Sequence, residues 1–324
     1  PAVVGINVTE IREYTYRDPF SQFFGNNPFW GQYFGNRTLK QEVKSLGSGF
    51  LLSEDGYILT NDHVAGNAKE ITVTLTSRER YKAKLIGTDL VSDISLLKID
   101  GKDFPFVRLG NSDDVIIGEW VIAMGNPFGL FEINDKPTVT VGVVSATGIN
   151  LTVSGGHYYR GMIQTDAAIN EGNSGGPLLN SFGEVIGVNA VIFTPNQGNI
   201  GLGFAIPVNR VKGVLADLKK KGHIERDFWT GLEINSVDAR VAKYFGLDHP
   251  QGVIVTDVKP DSPADRAGFK VGDIIVDVNG DQIASEDNIT SVVGDARAGD
   301  VLTMKIVRDR RNLTLSLKLE KRPS

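Results

Sequence analysis

A serine lies inside a short glycine-rich turn, where residues 172–177 read Gly-Asn-Ser-Gly-Gly-Pro. A serine hydroxyl becomes an effective nucleophile only when a base removes its proton, and acyl transfer also needs fixed N–H donors for the oxyanion that forms. The amides of Gly172 and Ser174 are suited to that role because glycine lets the backbone approach a ligand closely. Taken alone, such a turn is more typical of a structural connection between strands.

A candidate base and a candidate acid precede this serine in the chain. His63 follows an apolar run at residues 57–59, and Asp93 stands at the start of another apolar stretch. The order His, Asp, Ser is that of the chymotrypsin-type triad, in which the histidine takes the serine proton and the aspartate holds the imidazole tautomer. We therefore predict a catalytic triad of His63, Asp93 and Ser174, with Asp62 and Asp89 as competing carboxylates.

The composition restricts what other chemistry is available. The 324 residues carry 34 Lys and Arg against 39 Asp and Glu, a formal net charge of -5, which argues against nucleic acid as a partner. There is no cysteine, so disulfides, thiolate nucleophiles and thiolate zinc sites are excluded. The four histidines are scattered and no Gly-Lys-Ser/Thr phosphate loop is present, so we expect no metal, no other cofactor and no use of ATP.

The first two thirds of the chain has a pattern of many short strands. β-Branched runs at residues 71–75, 138–144 and 184–193 alternate with Gly, Asn and Asp clusters, which is typical of a sandwich or barrel. An amphipathic helix then begins after Pro207 and ends with three lysines and Gly222. These signals end the first domain at about residue 225.

An aromatic-rich segment at about residues 12–44 belongs to no regular pattern. Nine aromatic residues fall within it: Tyr14, Tyr16, Phe20, Phe23, Phe24, Phe29, Trp30, Tyr33 and Phe34. We interpret the segment as a long loop or arm whose rings need a cover. It could cover its own domain, contact another subunit or act as a regulatory arm.

Residues 226–324 have a different layout. A strand is predicted at residues 252–258, Ser262 caps a short helix, and Asn279-Gly280 marks a hairpin turn. A second capped helix follows Ser285, and two strands with alternating apolar residues complete the chain. This pattern predicts a small α+β domain.

Several segments resemble the HtrA/Deg family of serine proteases. They lie at residues 46–50, 55–64, 92–94, 125–129, 165–170, 172–178 and 203–207. The segments at residues 252–255, 262–264, 267–268 and 271–275 are similar to a PDZ module. The resemblance implies a mostly β protein, with a chymotrypsin-like double β-barrel protease domain at residues 1–225 followed by one small α+β PDZ domain at residues 226–324.

The resemblance also assigns roles to residues. It supports Ser174 as nucleophile, His63 as general base and acid, Asp93 as the orienting carboxylate, and the amides of Gly172 and Ser174 as the oxyanion hole. A specificity pocket for small or medium apolar side chains would be walled by Ile169, Asn189, Val191, Leu202 and Phe204. A peptide-binding groove that captures C-termini by strand addition would use Trp229, Thr230, Gly231, Leu232, Ile234, Ile289 and Val292.

The function implied is that of an ATP-independent serine endopeptidase of protein quality control, acting on misfolded or unfolded proteins, with its PDZ domain binding C-terminal peptides. The alternative is a chaperone or peptide-binding scaffold whose triad is idle. The family also implies a homo-oligomer, a trimer or a multiple of trimers. It further implies a periplasmic or other extracytoplasmic location with a possible membrane anchor, or else an organelle lumen.

Overall fold

The computed structural model describes residues 1–16, 37–126, 131, 136–151, 156–170, 172–192, 200–245 and 249–322. These residues divide into two compact units. Pro1–Ile149 and Gly161–His223 belong to the first unit, and Asn150–Arg160 and Ile224–Ser324 belong to the second. No sequence pattern predicted that residues 150–160 of the expected first domain would group with the second unit. No helix in these described ranges is long and apolar enough to cross a bilayer.

The first barrel is closed by six antiparallel strands. They are β1 (Val3–Tyr16), β2 (Arg37–Leu51), β3 (Tyr57–Thr60), β4 (Glu70–Thr74), β5 (Arg80–Asp89) and β6 (Ile94–Ile99). Their order around the barrel is β1-β2-β3-β6-β5-β4. Alternate side chains point inward, because successive residues of a strand face opposite sides. The core includes Val4, Ile6, Leu51, Ile58, Val73, Leu97 and Ile99.

The register of this barrel brings two distant parts of the chain together. Thr60, the last residue of β3, pairs with Ser95 at the start of β6. The residues that follow β3 and those that precede β6 therefore meet at the same end of the barrel. The first of these segments is a single helical turn, α1 (Asp62–Ala65), which contains His63.

The second barrel has the same number of strands and is also closed. It consists of β7 (Trp120–Gly125), β8 (Thr138–Ile149), β9 (Met162–Thr165), β10 (Pro177–Leu179), β11 (Val185–Ile192) and β12 (Gly203–Pro207). Helix α2 (Val208–Lys221) follows it, and Gly222 ends the helix in the left-handed conformation, with its amide donating to the Leu218 carbonyl. The turn that contains Ser174 leads directly into β10.

The predicted aromatic arm is partly replaced by strand. β1 and β2 pair continuously as far as Tyr16 and Arg37, so residues 12–16 and 37–44 form a long hairpin instead of a loop. Backbone pairing joins these strand ends to each other, and backbone pairing by itself requires no apolar periodicity that a sequence could display. Residues 17–36, which carry seven of the nine aromatic side chains, lie outside the described residues.

The described residues of the second unit form a sheet and three helices. Its strands are β13 (Leu232–Ser236), β14 (Val253–Val258), β15 (Ile274–Val278), β16 (Asp281–Gln282), β17 (Val301–Arg308) and β18 (Arg311–Lys318). The main path runs β13-β14-β15-β17-β18, with β16 paired to β15, so β13 forms one edge. The helices are α3 (Ala239–Phe245), α4 (Pro263–Arg266) and α5 (Glu286–Gly294).

Local sequence signals explain the helix starts of this unit. The Ser262 hydroxyl accepts from the Asp265 amide at 3.1 Å, and the Ser285 hydroxyl accepts from the Asn288 amide at 3.2 Å. Both are N-cap bonds of the kind that the serine positions predict. The predicted fold class, a double β-barrel followed by a small α+β domain, is confirmed.

Candidate active site

His63 and Asp93 form the best-defined polar pair at the end of the first barrel. The Nδ1 atom of His63 lies 2.9 Å from Oδ1 and 2.8 Å from Oδ2 of Asp93. The main-chain N–H of His63 also donates to Asp93 Oδ1 at 2.9 Å. The Asp93 side chain is fully buried, whereas 33% of the His63 side chain is exposed. Asp93 therefore holds the imidazole at Nδ1, and a third of the His63 side chain remains exposed.

Asp93 occupies an unusual backbone conformation that two bonds maintain. Its φ angle is 56°, a left-handed value that few residues except glycine, asparagine and aspartate adopt. The Asn61 side-chain amide donates to the Asp93 carbonyl at 2.9 Å, and the Asp93 amide donates to the Leu90 carbonyl at 3.2 Å. These contacts turn the carboxylate toward the histidine. Sequence analysis did not assign this role to Asn61, although a polar residue ahead of Asp-His was a visible signal.

The two competing carboxylates are engaged elsewhere. Asp62 accepts a hydrogen bond from the hydroxyl of Thr88. Asp89 accepts from the amide of Ser92 at 3.1 Å and from the hydroxyl of the same residue. Asp93 is thus the carboxylate that contacts the imidazole through both of its oxygens. An orienting carboxylate requires this geometry.

The surroundings of His63 set its protonation. Burial of the imidazole is the largest single influence and lowers its pKa, because burial disfavours the charged form. The hydrogen bond and charge of Asp93, with a further contribution from the charge of Asp62, outweigh burial and raise the pKa of His63 above 6.5. Pairing with the Asp93 carboxylate therefore makes the His63 imidazole a stronger base than an isolated histidine.

Ser174 lies in a turn that fits closely against the first barrel. Its hydroxyl donates to the carbonyl of Ala190 on β11 at 3.1 Å. The next residue, Gly175, has a φ of 84°, and a side chain there would lie 2.2 Å from the Ser48 carbonyl oxygen and 2.3 Å from the Thr60 hydroxyl. Glycine is required because both the conformation and the close approach exclude a Cβ atom. The turn is therefore pressed against the end of β3, three residues before His63.

The backbone amides of this turn divide into two groups. Asn173 donates to Asn170, Gly175 to Asn189, and Gly176 to Asn173, all at 2.8–3.0 Å. Within the described ranges, the amides of Gly172 and Ser174 donate no hydrogen bond. Two unengaged amides flanking a nucleophile are what an oxyanion hole needs. Glu171, which precedes them, lies outside the described residues.

The predicted pocket residues occupy several different environments. Ile169 is 1% exposed and belongs to the core of the second barrel, where it lies beside Gly203. The Asn189 side chain is fully buried and donates to the Pro177 carbonyl at 3.2 Å and the Met124 carbonyl at 3.4 Å, so it braces β10. Phe204 is also buried, and Leu202 is half-buried. The side chain of Val191 lies outside the described residues.

The predicted carboxylate-binding loop of the second unit adopts a glycine-dependent turn. Gly231 has a φ of 79°, and a Cβ atom there would lie 2.1 Å from the Ser262 side chain. The Trp229 amide donates to Glu320, and the Thr230 hydroxyl accepts from the amide of Leu232 at 3.2 Å. The loop precedes the edge strand β13, whose residue Ile234 packs against the core of this unit. Ile289 and Val292 on α5 are buried in the same core.

Comparison with known proteins connects these two units to a family. The profile of the trypsin-like peptidase domain matches residues 47–188, and that of the PDZ domain matches residues 225–319. A solved structure described as "HtrA-type protease AlgWS227A with decapeptide" is 34% identical, with a TM-score of 0.72 over 100% of this chain and 95% of that chain. This chain belongs to the HtrA family of serine proteases. The double barrel is its trypsin-like domain, and the second unit is its PDZ domain.

Other HtrA relatives extend beyond the present chain. A "Probable periplasmic serine endoprotease DegP-like" of Marinomonas sp. (strain MWYL1) is 44% identical over 99% of this chain and 65% of its own length. A protein of the same name from Halomonas elongata is 41% identical over 98% of this chain and 68% of its own length. The chain thus spans about two thirds of these curated HtrA relatives.

Proposed function

We propose that this HtrA chain is a serine endopeptidase that works through an acyl-enzyme. The observation that carries the proposal is the His63–Asp93 pair, in which Nδ1 contacts both carboxylate oxygens. The turn that contains Ser174 packs against the same end of the barrel. The two unengaged amides of Gly172 and Ser174 add an electrostatic site for the oxyanion. Serine endoprotease names among the relatives support the same reaction.

The reaction follows from these groups. Ser174 leaves its bond with Ala190, attacks the peptide carbonyl carbon and gives its proton to Nε2 of His63. The carbonyl oxygen becomes an oxyanion that accepts from the two amides, while Asp93 stabilises the imidazolium. The imidazolium then protonates the leaving amine, which frees the new N-terminus. Water repeats the sequence on the acyl-enzyme, releases the carboxylic acid and restores the serine.

Substrates are proposed to be misfolded or unfolded proteins, cut after small or medium apolar residues such as valine or alanine. The absence of a Gly-Lys-Ser/Thr loop from the sequence supports action without ATP, so substrates must arrive already loosened. The edge position of strand β13 supports capture of a C-terminal peptide by strand addition. The relatives' names support a periplasmic location.

The proposed activity is tested by incubating the purified chain, without ATP, with an unfolded protein and with the same protein folded. We expect cleavage of the unfolded form only, and labelling of Ser174 by a fluorophosphonate. A peptide library should show cleavage after Val or Ala, and a preference for Lys or Arg would contradict the proposed pocket. Peptide binding to the PDZ domain without labelling or cleavage would instead favour the scaffold alternative.

The pH dependence of hydrolysis should report the environment of His63. The rate constant kcat/KM should fall on the acid side with an apparent pKa above 6.5, because only the neutral imidazole accepts the serine proton. Asp62→Asn should move this inflection to lower pH, since it removes one of the negative charges that favour imidazolium. An inflection at or below 6.5 in the unchanged protein would contradict the assignment of His63 as a base held by Asp93.

A trimer, or a multiple of trimers, is the proposed assembly, and an exposed apolar surface supports it. Large apolar side chains that are 50–70% exposed lie on or just before the β7–β8 pair: Ile116, Ile117, Trp120, Val139 and Val141. Such surfaces on soluble proteins commonly mark contact sites. Because β1 is part of the first barrel, removal of residues 1–44 would damage the fold, so a substitution in this patch is the better test.

Trp120→Glu should lower the mass measured by light scattering to that of one chain, because a carboxylate in an apolar interface loses its hydration without gaining a partner. Phe182→Glu is the matched control, since Phe182 is an 85% exposed residue at a turn elsewhere on the barrel. The control should keep the mass of the unchanged protein. Equal masses for both variants would refute the contribution of this patch to assembly.

A further inference from the structure

Ser48 contacts three of the sequence segments through which the HtrA resemblance was recognised. It lies on β2, is fully buried, and stands in the segment at residues 46–50. Its hydroxyl donates to the carbonyl of Gly172 at 2.5 Å and accepts from the amide of Asn126, after β7, at 2.7 Å. Both bonding directions of the hydroxyl are therefore in use.

The backbone of Ser48 makes two further hydrogen bonds, one with Ser174 and one with Thr60. Its N–H donates to the carbonyl of Ser174 at 2.9 Å. Its own carbonyl accepts from the hydroxyl of Thr60 at 2.7 Å, three residues before His63. Ser48 thus connects the strand that leads to the base with the turn that carries the nucleophile.

The two carbonyls that Ser48 binds belong to Gly172 and Ser174, whose amides donate to no acceptor among the described residues. Gly172 and Ser174 each direct their carbonyl to Ser48, by way of its hydroxyl and its N–H respectively. The carbonyl of a residue lies in the peptide plane after its Cα atom and its amide in the plane before it, so a fixed carbonyl anchors the Cα atom and restricts the amide through the backbone that joins them. The restriction matters most at Gly172, because glycine with a φ of 97° has no side chain to limit its rotation.

We propose that the Ser48 hydroxyl is a positioning group that fixes the oxyanion hole by holding the Gly172 carbonyl against β2 and the end of β7. The inference rests on the proposed endopeptidase function and adds a residue to its machinery. Ser48 does not touch the substrate: it acts through Gly172. It also gives a physical purpose to the segments at residues 46–50 and 125–129, which the triad alone does not explain.

The test compares Ser48→Ala with a control, Thr74→Val. Thr74 is a 3% exposed threonine on β4 of the same barrel whose hydroxyl has no hydrogen-bond partner among the described residues, so its replacement removes a buried hydroxyl, but no hydrogen bond, outside the nucleophile turn. For Ser48→Ala we expect kcat to fall by about 100-fold, as when catalytic groups lose their alignment, with KM within about twofold. The control should keep the unchanged protein's kcat, even if its melting temperature falls.

A second readout separates positioning from general destabilisation. The inhibition constant of a peptide boronate, whose oxygen occupies the oxyanion hole, should rise by the same factor by which kcat/KM falls. Binding of a product peptide should not change. Ser48→Cys preserves side-chain size but donates only weakly, so it should reproduce the loss if the alanine variant does not fold.

Two results would overturn the proposal about Ser48. One is a folded Ser48→Ala or Ser48→Cys variant with the kcat of the unchanged protein, and the other is an equal loss of kcat in Thr74→Val. Neither would affect the proposed function, which fails separately if the unchanged protein hydrolyses no substrate and its Ser174 is not labelled by a fluorophosphonate.

Discussion

Replacing Ser174 with alanine is expected to lower the turnover of an unfolded protein by about a millionfold, which corresponds to about 8 kcal/mol of lost transition-state stabilisation. The loss is large because the Ser174 side chain supplies the hydroxyl from which the proposed acyl-enzyme forms. The measurement is the single-turnover rate with a fluorogenic peptide, together with fluorophosphonate labelling. Both signals should disappear.

The alanine variant should remain folded and should still bind peptide. The Ser174 hydroxyl makes one bond, to the Ala190 carbonyl, whereas the backbone bond from Ser48 to the Ser174 carbonyl does not depend on the side chain. Its melting temperature and its affinity for a hydrophobic C-terminal peptide should therefore stay near those of the unchanged protein. Hydrolysis that persists in this variant would show that another residue is the nucleophile, and the assignment of the triad would be withdrawn.

The sequence predicted local structure correctly where a position favours one or a few residue types for a clear physical reason. The turn around Ser174 was recognisable from its glycines, because the position of Gly175 has no space for a side chain and requires a positive φ angle. The N-caps at Ser262 and Ser285 were equally local signals. The order of residues along the chain then predicted the base and the acid, because His63 and Asp93 precede Ser174 and each lies next to an apolar run typical of a strand.

Other features depended on pairing between distant segments and could not be predicted. The extension of β1 and β2 into the predicted arm is a matter of backbone register, which side-chain periodicity does not record. The side-chain bonds from Asn189 to the carbonyls of Met124 and Pro177 also join segments that lie far apart in the chain. Ser48 gave no chemical signal, since one serine between two glycines is ordinary until its partners across the barrels are known.

Asp93→Asn is expected to lower kcat at neutral pH by about ten thousandfold, because the amide that replaces the carboxylate no longer favours the tautomer with its proton on Nδ1. Asparagine is the most suitable replacement, since it has the same shape and also tolerates the left-handed backbone that Asp93 adopts with a φ of 56°. The Asn61 bond to the carbonyl of residue 93 should survive. The variant should therefore fold, and its loss of activity would reflect the missing carboxylate and not a loss of structure.

The competing carboxylates supply the control for this experiment. Asp89→Asn changes a 4% exposed aspartate four residues away, which accepts from Ser92. Its kcat should stay near that of the unchanged protein, even if its stability falls through the weakened bond. If Asp89→Asn lost more activity than Asp93→Asn, the orienting carboxylate would have been assigned to the wrong residue. A further signature separates Asp93 from Asp89: replacing Asp93 removes a hydrogen bond and a charge that raise the pKa of His63, so that pKa should fall.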